Sequence, residues 1–161
     1  MERIEKIIEV DCSVRAVYDQ WTQFEEFPRF MDGVRNVKQL DDTHVRWRAE
    51  IWGKEKEWDA EITEQVPDER ISWKSVSGDA PNAGTVRFEP VGANRTRVRL
   101  VMAYEPHGAV EAVGDALGIL SASVQSSVSS FKKYIEEKQT PDGAWRGTVH
   151  DSVADPRTRR S

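Results

Sequence analysis

Apolar and charged residues alternate along the middle of the chain. Between Val34 and Tyr104 the apolar positions recur every second residue, and turn-forming residues separate the runs about every ten positions. The apolar phase comprises Val45, Trp47, Ala49, Ile51, Trp58, Ala60, Ile62, Ile71, Trp73, Val86, Phe88, Val98, Leu100, Met102 and Tyr104. This alternation predicts an antiparallel meander with one dry and one solvated face.

Other stretches have the period of a helix. Ser13 is suited to be the N-cap of a short helix whose apolar face carries Val17 and Trp21, and Pro28 can start a second short helix just after it. After Pro106 a long amphipathic helix is predicted, because apolar residues recur at steps of three or four: Val110, Val113, Leu117, Leu120, Val124, Val128, Phe131 and Ile135. This helix would cover the dry face of the sheet. The many glycines and serines in it either let it approach its neighbours or let it bend to admit a ligand.

The chain of 161 residues is long enough for one domain with a single core. We predict that this domain spans residues 1–140. Residues 141–161 are rich in Arg, Asp, Thr and Ser. We therefore expect a flexible C-terminal tail in which Trp145 alone docks on the domain.

Charge and hydropathy restrict the classes of partner. The formal net charge is −5, which argues against nucleic acid as a partner because such binders need cationic surfaces. No run approaches the roughly 18 apolar residues of a membrane-spanning helix. Residues 1–10 alternate charge with isoleucine where a signal peptide would be continuously apolar. We expect a cytoplasmic protein without integral membrane association.

Two segments carry a resemblance to a known family. Residues 17–34 contain the pattern Phe-Pro-x-Phe-Met, and residues 66–73 contain Pro-x-x-x-Ile-x-Trp. Both are similar to polyketide cyclase/dehydrase members of the START-like, or SRPBCC, superfamily, which also includes coenzyme Q-binding START-like relatives. The order of the predicted elements resembles that superfamily over residues 3–139.

The resemblance implies an α+β helix-grip fold, as in birch-pollen-allergen-like proteins. In that fold an antiparallel sheet of about seven strands wraps around a long C-terminal helix, and two short helices follow the first strand. A cavity lies between the sheet and the long helix. Because the fold hosts binding, transport and catalysis alike, the function has to be argued from the site.

Large apolar side chains are the candidate walls of such a cavity. Several indoles facing one helix suggest incomplete filling, although aromatic side chains can equally fill a core. The candidate ligand-binding residues are Phe27, Phe30, Met31, Trp47, Trp58, Trp73, Phe88, Met102, Leu117 and Leu120. An apolar ligand such as a quinone, a lipid or a polyketide would suit these walls. Trp52 lies on the solvated phase and could mark a homodimer contact.

Residues with catalytic or metal-binding chemistry are sparse in the sequence. His44, His107 and His150 lack the i, i+4 spacing of a metal site, so no metal is predicted. No phosphate-binding loop is present, and no cofactor is predicted. The candidates for a catalytic role are the hydroxyl donors Tyr18, Ser75 and Tyr104.

The resemblance bears on catalysis as well. Aromatic polyketide cyclases of this superfamily are thought to use a buried Arg with a Tyr or Ser to stabilise an enolate. At the position where we would look for that Arg, just before Val66, this chain has Gln65. The preferred hypothesis is therefore a carrier or sensor of an apolar small molecule. The alternative is a polyketide cyclase, aromatase or dehydratase acting on a chain held in the same cavity, and a third is an interaction module with a vestigial cavity.

Overall fold

The computed structural model describes residues 2–31, 33–51, 53–78, 81–104 and 116–156, without the side chains of Glu2, Ile51 and residues 116–120. Of the residues singled out above, Trp52, His107, Val110 and Val113 lie outside the described residues.

An antiparallel sheet forms most of the described chain. Its main strands are β1 (Glu2–Val10), β2 (Val34–Gln39), β3 (His44–Ile51), β4 (Lys54–Val66), β5 (Arg70–Gly78), β6 (Asn82–Gly92) and β7 (Arg95–Tyr104). They are hydrogen-bonded in the order β1-β7-β6-β5-β4-β3-β2. Between β1 and β2 lie α1 (Val14–Trp21) and a 3₁₀ helix (Phe24–Arg29), and α2 (Ala116–Lys138) follows β7. The predicted helix-grip architecture, with two short helices after the first strand, is confirmed.

The two faces of the sheet follow the alternation in the sequence. On the outer face, charged side chains pair across neighbouring strands. Arg46 Nε donates to Asp59 Oδ1 at 2.9 Å, and Arg99 Nε donates to Glu5 Oε2 at 2.8 Å. Exposed pairs of this kind add little to stability, so the sheet is held mainly by its inner face and by what packs on it.

The helices pack against the inner face of the sheet. Ser13 is the N-cap of α1, as predicted, and its hydroxyl accepts a hydrogen bond from the backbone N–H of Ala16 at 3.3 Å. Phe131 and Ile135 of α2 are fully buried. The ring of Phe131 meets Trp21 of α1 edge to face at 4.8 Å between centroids. This contact joins α1 and α2 at one end of the sheet.

The C-terminal segment differs from the expected flexible tail. Residues Thr148–His150 form β8 and residues Val153–Asp155 form β9, which together we call the C-terminal hairpin. In this hairpin Val149 pairs with Gln65 of β4. Because β3 pairs with β4 only as far as Glu61, the hairpin covers a part of the β4 edge that β3 leaves open.

Side chains of the same segment also pack on the domain. Trp145, the one residue expected to dock, contacts the main hydrophobic core, and Val149 is buried. The folded unit therefore extends at least to residue 156, and the boundary predicted at 140 is too early. The polar composition suggested disorder, but Arg146 of this segment forms ion pairs with Asp19 and Asp68 of the domain. Residues 157–161 lie outside the described residues.

Candidate functional site

A cavity of about 210 Å³ lies between the inner face of the sheet, the short helices and α2. Its lining is mostly apolar. The described lining comprises Trp21, Phe24, Phe27, Met31, Gly33, Val34, Val45, Trp47, Ala49, Glu50, Trp58, Ala60, Ile62, Ile71, Trp73, Asn82, Leu100, Met102, Tyr104, Ser123, Val124, Ser127 and Val128. The volume is below the roughly 300–1,000 Å³ of pockets that enclose drug-sized ligands, so this conformation suits a small ligand.

Aromatic rings form one wall of the cavity. Trp47 and Trp58 are directly opposite each other on β3 and β4. Their indoles are parallel, with centroids 6.0 Å apart and 2° between the planes. The ring of Phe27 in the 3₁₀ helix packs on Trp47, with 5.7 Å between the ring centroids. Trp47, Trp58 and Trp73 are only partly buried although they face the inside of the sheet, which shows that protein atoms do not fill the space beside them.

Small residues around these rings explain why the space is open. Ala60 on β4 and Ser127 on α2 both line the cavity where a larger side chain would occupy it. On β6, a Cβ atom at Gly84 would lie 2.6 Å from Cζ2 of Trp73, so glycine lets the indole lie close over that strand. Among the described residues, the buried hydrophobic side chains around this space form two clusters. Ile4 and Tyr104 make up the smaller cluster, which is separate from the main one.

The polar groups of the lining are few and uncharged, apart from one carboxylate. The indole N–H of Trp73 donates to Oδ1 of Asn82 at 3.0 Å. Glu50 is exposed, and its Oε2 accepts from Arg35 Nη2 at 2.5 Å. Among the described lining residues there is no Lys, Arg or His. Hydrogen bonding, and not a buried cation, is therefore the chemistry that these residues offer.

Several residues proposed from the sequence line the cavity: Phe27, Met31, Trp47, Trp58, Trp73, Met102 and Tyr104. Two others lie elsewhere. The ring of Phe30 packs against Tyr134 at 4.6 Å between centroids. Phe88, although on the inner phase of β6, is covered by Tyr18 and Trp21, whose centroids are 5.3 and 6.0 Å away. Its strand phase correctly predicted burial, but α1 occupies the space in front of it.

Ser75 and Tyr18 are not among the described lining residues. Ser75 Oγ accepts a hydrogen bond from the backbone N–H of Asn82 at 3.0 Å. Tyr18 is buried, and its phenol oxygen accepts from Gln65 Nε2 at 3.0 Å. Burial raises the pKa of Tyr18 well above its usual value. Leu117 and Leu120 lie in the first turns of α2, where side chains are outside the described part.

Sequence reasoning missed several lining residues. The helical pattern puts Trp21 on the apolar face of α1 and does not indicate that Trp21 or Phe24 lines a cavity. The way in which α1 and the 3₁₀ helix pack on the sheet is a tertiary property. Asn82 lies within residues 79–84, where Asp, Pro, Asn and Gly together are typical of a turn. A signal for it existed, since Asn82 shares the inner phase of β6 with Gly84 and Val86. Continuing the alternation from Val86 back through Gly84 places the Asn82 side chain on the inner face.

A second group of polar side chains is buried beside α1, outside the described lining. Arg146 donates from Nη1 to Asp19 Oδ1 at 2.5 Å and from Nη2 to Asp68 Oδ2 at 2.7 Å. Its Cζ lies 5.6 Å from the ring centroid of Tyr18. Burial raises the pKa of Asp19, although Arg146 opposes the shift. This cluster ties the C-terminal segment to α1 and to the turn after β4.

Two further properties concern the described residues as a whole. They contain no group of three His, Cys, Asp or Glu side chains arranged to hold a metal ion. No helix in the described ranges combines the length and apolar character needed to cross a bilayer.

Sequence comparison identifies relatives. Residues 10–132 match the protein-family model described as polyketide cyclase / dehydrase and lipid transport. An uncharacterized 17.2 kDa protein in the melC2-rnhH intergenic region of Streptomyces lincolnensis is 45% identical over 149 residues, which cover 92% of this chain and 99% of that protein.

Solved structures share the fold. A START superfamily protein from Mycobacterium smegmatis has a TM-score of 0.69 at 16% identity, over 84% of this chain and 95% of that one. The ZhuI aromatase/cyclase from Streptomyces sp. R1128 has a TM-score of 0.65 at 14% identity, over 86% of this chain and 93% of that one. At these identities the likeness establishes the fold alone.

Proposed function

The chain belongs to the polyketide cyclase / dehydrase and lipid transport family, and within it we propose a carrier or sensor that binds a hydrophobic small molecule between the sheet and α2. The ligand is a quinone, a lipid or a polyketide-like molecule. The observation that carries the proposal is the cavity of about 210 Å³ walled by the partly buried indoles of Trp47, Trp58 and Trp73.

The physical basis is the apolar surface that faces this cavity. Each square ångström of it that a ligand removes from water contributes roughly 25 cal/mol. The flat face of the stacked Trp47–Trp58 pair suits a planar or ring-containing molecule. Binding therefore needs no charged anchor.

The same lining favours binding over turnover. Enolate stabilisation in ring closure depends on strong donors aimed at the developing charge. The described lining has no cationic side chain, and Gln65, at the position considered above for a family Arg, is bonded to Tyr18 instead.

A polyketide cyclase, aromatase or dehydratase is the second candidate. The fold shared with the ZhuI aromatase/cyclase and the position of Tyr104 among the lining residues favour it. Conversion of an added poly-β-keto thioester to a cyclic product, and loss of that conversion in Tyr104→Phe, would establish this candidate over a carrier.

The proposal is tested by filling the cavity without disturbing its surroundings. Ser127→Leu puts a larger apolar side chain into the cavity, and Ser126→Leu, on the exposed side of the same helix, is the matched control. Both gain helix propensity, but only Ser127→Leu buries the new side chain, which adds about 1–2 kcal/mol to the free energy of unfolding.

Ligand content is then measured by mass spectrometry of organic extracts from freshly purified protein. We expect a stoichiometric apolar compound in the wild type and in Ser126→Leu, and its loss from Ser127→Leu despite the higher stability of that variant. An empty wild type that also fails to bind added quinones, fatty acids and naphthalene in equilibrium dialysis would refute the proposal. Equal retention in both variants would show that the ligand lies elsewhere.

A further inference from the structure

Two exposed residues locate the side from which solvent reaches the cavity. Of the described lining residues, Glu50 and Ser123 alone are exposed. The backbone N–H of Glu50 donates to the carbonyl oxygen of Gly33 at 2.7 Å, so Glu50 lies beside the start of β2, the last strand in the order of the sheet. Ser123 lies on α2. These residues place the mouth of the cavity between the start of β2 and α2.

The two edges of the sheet are joined to α2 in different ways. On the β1 side, Lys132 Nζ donates to the carbonyl oxygen of Glu9 at 3.0 Å, and Glu136 accepts from the backbone N–H of Asp11 at 2.7 Å. Within the described part of the chain, no hydrogen bond or ion pair joins α2 to β2 or to the 3₁₀ helix before it. The β2 side, where the mouth lies, therefore depends on apolar packing.

Phe30 provides aromatic packing on the β2 side. It directly follows the 3₁₀ helix, and its ring centroid lies 4.6 Å from that of Tyr134 and 5.9 Å from that of Phe131, both on α2. Phe27 and Met31, in the same segment, line the cavity. A movement that separates Phe30 from α2 would therefore carry part of the cavity wall with it.

The backbone of this segment is suited to such a movement. The hydrogen bonds of a 3₁₀ helix have poorer geometry than those of an α-helix. Pro28 lies inside this one and has no N–H to donate. Between the segment and β2, Gly33 has a φ of +89°, which glycine adopts without strain. The segment can shift without unfolding a strand or a long helix.

We propose that the contact between Phe30 and Tyr134 is a latch on the mouth of the cavity, and that the ligand enters and leaves when Phe30 separates from α2. The latch then controls the rates of binding and release. The affinity is determined by the cavity walls in the closed conformation, so weakening the latch raises both rates together. The inference rests on the proposed function and adds the route by which the ligand reaches the cavity.

The test measures both rates by stopped-flow quenching of tryptophan fluorescence with 1-naphthylamine, whose absorption overlaps tryptophan emission. Phe30→Ala and Tyr134→Ala each remove one ring of the latch. We expect both variants to bind and release the probe about three- to tenfold faster, the factor that the loss of an aromatic pair produces. Their dissociation constants should change by less than about twofold.

Two further variants serve as controls. Tyr134→Phe keeps the ring but loses the hydrogen bond from the hydroxyl to Asp142, so it should have wild-type rates. Lys132→Met removes a bond between α2 and the sheet on the β1 side, and it should also leave the rates unchanged.

The outcomes separate the latch from the proposed function. Wild-type rates in both Phe30→Ala and Tyr134→Ala, or an equal acceleration by Lys132→Met, would overturn the inference and leave the proposed function standing. Weaker binding at an unchanged binding rate would also overturn it, because Phe30 would then act on affinity and not on entry. If neither 1-naphthylamine nor any other apolar compound binds the wild type, the proposed function fails and the inference fails with it.

Discussion

At the scale of single residues, the indole of Trp73 occupies the space on the inner face that a side chain at position 84 would need. A Cβ atom at position 84 would lie 2.6 Å from the indole of Trp73 and 2.7 Å from the carbonyl oxygen of Val101. Both contacts are too close, so the indole and the neighbouring backbone of β7 would both have to shift. Movement of the indole would break the hydrogen bond from Trp73 to Asn82.

We therefore predict that Gly84→Ala lowers the free energy of unfolding by about 1–3 kcal/mol, the usual cost of overpacking. Urea denaturation measures this loss. Gly92→Ala on the same strand is the control, since its Cβ would lie at an ordinary 3.6 Å from Arg95. Equal destabilisation by both substitutions would contradict the prediction.

Residues also show how far the sequence could predict the site. Period-two alternation placed Trp47, Trp58, Trp73 and Met102 on the inner face, because the direction of a side chain in a strand follows from its position. The same rule could not distinguish Phe88 from these cavity-lining residues. It predicts which face of the sheet a side chain lies on, but not which element packs against that face. The cavity wall depends on where α1 and α2 lie, and that is decided by packing.

At the scale of elements, α1 is held to the C-terminal segment by Arg146. Its guanidinium bridges the carboxylates of Asp19 and Asp68, and both Asp19 and Arg146 are largely buried. Removing one partner of a buried pair leaves an uncompensated charge. We predict that Arg146→Met lowers the free energy of unfolding by about 3 kcal/mol at neutral pH.

The pH dependence of this loss follows from Asp19. Burial raises its pKa above 3.8 in the folded protein. A carboxyl with a raised pKa favours folding in its protonated form, so its contribution is complete below pH 3.8 and is lost as pH rises through the higher folded-state pKa. Arg146→Met raises that pKa further, so its deficit should be largest at pH 7 to 8 and shrink toward pH 4.

Urea denaturation across that pH range measures the deficit. Arg15→Met is the matched control, because Arg15 approaches the same carboxylate at 3.9 Å but its side chain is 69% exposed. This variant should change stability by less than about 0.5 kcal/mol. A deficit in Arg146→Met that does not depend on pH would show that the lost packing of the side chain, and not its charge, is responsible.

Elements with a clear period were predictable, and those held by tertiary contacts were not. The main strands, the two short helices and α2 each have a continuous pattern, and the structure contains them. The C-terminal hairpin has strands of three residues, which are too short to establish an alternation. The hairpin forms because the edge of β4 beyond Glu61 is not paired with β3 and because Arg146 forms ion pairs with two carboxylates. Both of these partners lie outside residues 141–156, so the sequence of the segment alone does not indicate them.

At the scale of the whole molecule, the C-terminal hairpin and the cavity share one strand. β4 contributes Trp58, Ala60 and Ile62 to the cavity wall, and further along the same strand Gln65 pairs with Val149 of the hairpin. Gln65 also holds Tyr18, against which Phe88 packs. Destabilising the hairpin should therefore lower the stability of the whole domain and not only that of its C-terminal end.

Val149→Ala tests this coupling, with Val153→Ala on the partner strand as control. Val149 is 1% exposed, whereas Val153 is 70% exposed. Truncating the buried side chain should lower the free energy of unfolding of the entire domain by about 2 kcal/mol, and the exposed one should have no measurable effect. Tryptophan fluorescence and far-ultraviolet circular dichroism should report the same shifted transition, because the hairpin and the cavity wall unfold together. Proteolysis of the hairpin at a denaturant concentration where the tryptophan signal is still native would show instead that the hairpin unfolds separately.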